Sequence, residues 1–75
     1  MKYDNIKSIV GFAGNISISS ENFRYSELFA LAQKVGACES GSLTIIIKQA
    51  TLRDTEIEAL AKVGGKYIRL DLSDL

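Results

Sequence analysis

The sequence predicts an α/β protein of three helix-then-strand units, αβαβαβ, whose strands form a small three-stranded parallel sheet in the order 1-2-3 with the helices on one face. Three observations predict it. One motif occurs twice along the chain, each copy runs through glycine into a strand-forming stretch, and one apolar spacing recurs three times.

The motif is Phe23-Arg24-Tyr25-Ser26-Glu27-Leu28-Phe29-Ala30-Leu31-Ala32, matched by Leu52-Arg53-Asp54-Thr55-Glu56-Ile57-Glu58-Ala59-Leu60-Ala61. If Gln33 is passed over, Lys34-Val35-Gly36 aligns with Lys62-Val63-Gly64. In each copy the apolar residues recur at helical spacing: Leu28, Leu31, Ala32 and Val35 in one, Ile57, Leu60, Ala61 and Val63 or Gly64 in the other. Asn22 or Ser26, and Thr51 or Asp54, are candidate N-caps, because a short side-chain oxygen accepts a bond from the orphan amides of a first helical turn. A looser first copy, Asp4-Asn5-Ile6-Lys7-Ser8-Ile9-Val10, precedes them. The units then cover about residues 4–22, 23–51 and 52–75 of a single domain, residues 1–75.

Gly14, Gly36 and Gly64 are expected to end the helices by taking the left-handed conformation. Strands follow. Ile16, Ile18 and Phe23, then Ile45, Ile47 and Leu52, then Ile68, Leu70 and Leu75 repeat one spacing, so Ile16, Ile45 and Ile68 are expected side by side. The extra length of the middle unit falls in Ala37-Cys38-Glu39-Ser40-Gly41-Ser42, read as a loop insertion. Strands joined through helices run parallel, with right-handed crossovers that place every helix on one side of the sheet.

The strand spacing, Ile45-x-Ile47-x-x-Ala50-x-Leu52 and Ile68-x-Leu70-x-x-Ser73-x-Leu75, resembles the core of leucine-rich repeats. That resemblance implies a right-handed α/β solenoid that binds partner proteins through its strand face. At the position of the family's ladder-forming asparagine this chain has Glu21, Ala50 and Ser73. No asparagine ladder, and no tight horseshoe curvature, is expected.

Composition narrows the function. Nine basic and nine acidic residues cancel, which removes the positive field that draws nucleic acid or anionic lipid. No apolar run approaches the ~20 residues that span a bilayer, and Met1-Lys2-Tyr3-Asp4 opens no signal peptide. A single cysteine, Cys38, excludes an internal disulfide, so the cytoplasm is the expected compartment. The chain has no histidine to serve Cys38 as a base. No catalytic residue, cofactor or metal site is assigned. Gly11-Phe12-Ala13-Gly14-Asn15 and Val63-Gly64-Gly65-Lys66 lead from helix into strand, the wrong junction for a phosphate loop. Arg24 and Glu27 recur as Arg53 and Glu56, and residues repeated in every module are read as serving the module.

The candidate site is the sheet face opposite the helices. Alignment of the strands sets Asn15, Thr44 and Tyr67 in one row, Ser17, Ile46 and Arg69 in the next, and Ser19, Lys48 and Asp71 in the third. Ile46 and Tyr67 are the apolar anchors of a protein-binding patch ringed by Lys48, Arg69 and Asp71. The expected function is a non-enzymatic protein-interaction module, such as a small inhibitor or adaptor. The alternative is self-assembly as a homodimer, through the β-edge beside Leu70 and Leu72 or through the helices. An enzyme is the least supported reading.

Overall fold

A computed structural model describes residues 3–12 and 14–75. Met1 and Lys2, read above for a leader, and Ala13 of the first glycine loop lie outside the described residues. The chain runs α1 (Tyr3–Ile9), β1 (Asn15–Ser19), a 3-10 turn (Ser20–Asn22), α2 (Tyr25–Cys38), β2 (Ser42–Ile46), α3 (Asp54–Gly64), a second 3-10 turn (Gly65–Tyr67) and β3 (Ile68–Asp71). The three strands are parallel, in the order β1-β2-β3. This is the expected alternation.

Side chains alternate across a strand, so Ile16 and Ile18, Leu43, Ile45 and Ile47, and Ile68 and Leu70 fall on one side of the sheet. There they meet Ile6 and Val10 from the first unit, Leu28, Leu31, Ala32 and Val35 from α2, and Leu60 from α3. Leu28, Leu31, Leu43, Ile45, Ile47 and Leu60 are fully buried. Each such side chain stabilises the fold by about 1.5–3 kcal/mol through the apolar surface it removes from water. The middle unit supplies most of them because α2 has a neighbour on each side.

The register differs from the expectation by two residues. Ile16 pairs with Leu43, and Leu43 with Ile68, so Ile45 lies between Ile18 and Leu70. A slide of two leaves every side chain on its own face, so the alternating pattern reads the same in both registers. Hydrogen bonds at the strand ends decide between them. Ser42 N–H donates to the Gly14 carbonyl at 2.8 Å, and Ile47 N–H to the Asp71 carbonyl at 2.9 Å.

The glycines are also corrected. Gly14 has the expected positive φ of 76°, but α2 runs through Gly36 to Cys38 and is closed by Glu39, at φ 54°. Ala37 and Cys38 are therefore helix, Ser42 is strand, and only Glu39, Ser40 and Gly41 remain of the expected loop. A helix has no place for the skipped Gln33. Val35, not Gly36, lies one turn beyond Leu31, as Gly64 lies one turn beyond Leu60. Gly36 instead lets α2 approach α3: a Cβ there would stand 2.8 Å from the Val63 carbonyl oxygen. Gly64 lets Ile68 fold back, since a Cβ would meet its Cγ1 at 1.9 Å. The turn out of α3 falls to Gly65, at φ 57°.

The helix caps are formed by the repeated Arg and Glu rather than by Asn22, Ser26, Thr51 or Asp54. The Arg24 amide donates to Glu27 Oε1 at 2.9 Å, and the Arg53 amide to Glu56 Oε1 at the same distance. A guanidinium has no acceptor to return a bond, so each cap is half of a capping box.

Candidate functional site

The outward positions of the strands lie side by side in two complete rows. Ser17, Thr44 and Arg69 form one, and Ser19, Ile46 and Asp71 the other. Thr44 and Ile46 thus each stand one row from their expected places. Asn15 stands beside Ser42, whose hydroxyl donates to Asn15 Oδ1. Ser42 was absent from the expected set because the spacing places β2 two residues too late. Lys48 lies beyond the end of β2, where its backbone N–H donates to Ser20 Oγ at 2.9 Å. Tyr67 ends the 3-10 turn ahead of β3, and its ring packs against the rim of the core. It is not an anchor of the open face.

The face that results is rich in hydroxyls and carries one apolar side chain, Ile46, half-buried between Ser19 and Asp71. Asp71 is fixed in place. Its Oδ1 accepts from the Ser73 hydroxyl at 2.6 Å and from the Ser73 amide at 3.0 Å, and these bonds, with the charge of Lys48, hold its carboxyl below the usual range. Among the described residues the exposed Arg69 side chain, two positions before Asp71 in β3, makes no hydrogen bond or ion pair.

Successive turns at the strand ends are tied together by side chains. Buried Ser20 accepts from the Lys48 amide and shares a 2.7 Å bond with Thr51 Oγ1, which itself donates to the Lys48 carbonyl at 2.6 Å. One unit further, Asp74 Oδ2 accepts from the Gln49 amide at 3.1 Å. Ser20 and Asp74 brace this end of the sheet in the absence of an asparagine ladder. The sequence signal for Ser20, the second of two adjacent serines before Glu21, does not separate a buried brace from a solvated turn.

An open cleft of about 450 Å³ is lined by Ile6, Ser17, Ile18, Ser19, Asn22 and Phe23. Residues from both faces of β1 line it, which places it at that strand's unpaired edge. Ser19 Oγ is buried there without a hydrogen-bond partner among the described residues. No spacing in the sequence points to this cleft, because α1 and the turn after β1 meet only in three dimensions.

The repeated carboxylates Glu27 and Glu56 are occupied by helix caps. Cys38 is a half-buried free thiol at the last position of α2. Among the described residues no three His, Cys, Asp or Glu side chains come together as a metal site, and no helix is long and apolar enough to cross a membrane. No protein-family model matches the chain, and no curated protein or solved structure matches it.

Proposed function

We propose that this chain is a non-enzymatic protein-interaction module, an inhibitor or adaptor in kind, that binds a partner protein through the sheet face opposite its helices. The observation that carries the reading is the composition of that face. Ile46 offers apolar contact, Ser17 and Thr44 offer hydrogen bonds without a long side chain to immobilise, and Lys48, Arg69 and Asp71 place charge around them. An apolar centre with a polar rim is the common anatomy of protein interfaces. The resemblance to leucine-rich repeats, which bind proteins through their strand face, agrees with it.

The test is affinity capture from extract of the source cells with the wild-type chain and with the variants Ile46→Asp and Lys48→Glu. Both substitutions lie on β2 or the turn after it and leave the helix-side core alone. The expected result is loss of one or more captured proteins from both variants. A captured set identical to that of the wild type would overturn the assignment of this face.

A further inference from the structure

A residue in a strand points its N–H and C=O to the same side, and neighbouring residues point theirs to opposite sides. The Asp71 carbonyl accepts from Ile47, the residue just after β2, so Arg69 and Asp71 turn their backbone groups inward to β2. Ile68, Leu70 and Leu72 therefore turn theirs away from the sheet. Two of those six groups are satisfied within the chain. Ile68 N–H donates to the Gly65 carbonyl, and the Leu72 carbonyl accepts from Leu75 N–H at 3.1 Å. The amides of Leu70 and Leu72 and the carbonyls of Ile68 and Leu70 are left facing outward.

We propose that two copies of this chain pair antiparallel through β3, about a twofold axis at Leu70, and so form one continuous six-stranded sheet. In this register each Leu70 amide donates to the other copy's Leu70 carbonyl, and each Leu72 amide to the other copy's Ile68 carbonyl. The groups that would face each other unused, Ile68 N–H and the Leu72 carbonyl, are the two already satisfied at home.

The side chains select the same axis. On the open face Arg69 stands opposite the second copy's Asp71, twice over, at the non-hydrogen-bonded positions where facing side chains are closest. Moving the axis to Arg69 sets arginine against arginine, and moving it to Asp71 sets aspartate against aspartate. On the helix side Leu70 meets Leu70, and Leu72, 49% exposed in the single chain, comes to lie over Ile68. The other edge, β1, reads Asn-Ile-Ser-Ile-Ser and carries no charge to choose a register. The pairing also joins two open faces side by side, but it does not rest on the partner-binding reading, whose test variants lie off this edge.

Sedimentation equilibrium from micromolar to millimolar concentration tests the proposal. The wild type is expected to approach twice the 8.2 kDa chain mass. Arg69→Asp and Asp71→Arg, each alone, are expected to raise the concentration of half-association by about tenfold or more. An equimolar mixture of the two is expected to recover the doubled mass, because every charge then faces its opposite, as is a single chain carrying both substitutions. If losing the bonds to Ser73 unfolds the Asp71→Arg chain, as circular dichroism would show, Arg69→Asp alone decides, since Arg69 has no bond within the chain to lose. A single-chain mass for the wild type throughout, a particle larger than two chains, or a dimer indifferent to Arg69→Asp would overturn it. So would two folded single variants that fail to associate when mixed.

Discussion

Leu28 and Ile57 hold the same place in the repeated motif, yet Leu28 is fully buried in α2 while Ile57 is only partly buried in α3. Ala32 and Ala61 differ more: the first is fully buried and the second exposed. Leu31 and Leu60 are both at 0% exposure. The stripe that faces the sheet is thus common to both helices, whereas the flanks are buried only where another helix lies alongside. A repeat specifies the side of each helix that meets the sheet, and its position in the stack decides how much more is covered.

That contrast can be broken by matched substitutions. The largest difference is expected from truncation to alanine. Leu28→Ala should destabilise the chain by about 3 kcal/mol, through lost transfer energy and a cavity in a fully packed site. Ile57→Ala should cost about half as much, because solvent already reaches the side chain and fills the space. Chemical denaturation read by circular dichroism measures both. Equal losses would show that the two helices are equally enclosed.

A smaller difference is expected between the glycines. Gly64→Ala should cost about 2–3 kcal/mol, since its new methyl would overlap the β-branched body of Ile68 and not merely a flexible tip. Gly36→Ala should cost about 1 kcal/mol net. Its methyl presses on the Val63 carbonyl, but alanine recovers about 1 kcal/mol of helix propensity in the interior of α2. A stabilised Gly36→Ala chain would mean that α2 and α3 part at no cost.

The caps should show no difference at all. Glu27→Ala and Glu56→Ala each remove one bond of equal length to an N-cap amide, and each should cost about 0.5–1 kcal/mol. Unequal losses, measured by the same unfolding midpoint, would sharpen the comparison by showing that a cap draws on its surroundings.

Most of the open face was legible from the strands. Ser17, Ser19, Thr44, Ile46, Arg69 and Asp71 stand on it as their alternation with Ile18, Ile45 and Leu70 requires. Tyr67 was misplaced because a large aromatic ahead of a β-branched residue fits a strand start and a packed turn equally well. The row partners of Thr44 and Ile46 were misplaced for another reason: the spacing shared by Ile45, Ile47 and Leu52 sets β2 two residues late, and a slide of two keeps Leu43, Ile45 and Ile47 on one face, so alternation alone does not fix the register.

The amino-acid sequence by itself determined the alternation of helices and parallel strands, the face taken by the apolar residues within each strand, and the recurrence of one Arg–Glu pair at the start of two helices. Those properties are set by periodicity and by partners within four residues along the chain. The register of β2, the end of α2 at Cys38, the burial of Gly36 against Val63 and the cleft beside β1 were decided only in the folded molecule. The register and the Gly36 contact join residues some 25 or more positions apart, and the cleft joins Ile6 to Ser17 and Phe23; no local pattern distinguishes a strand from the same strand slid by one full side-chain repeat.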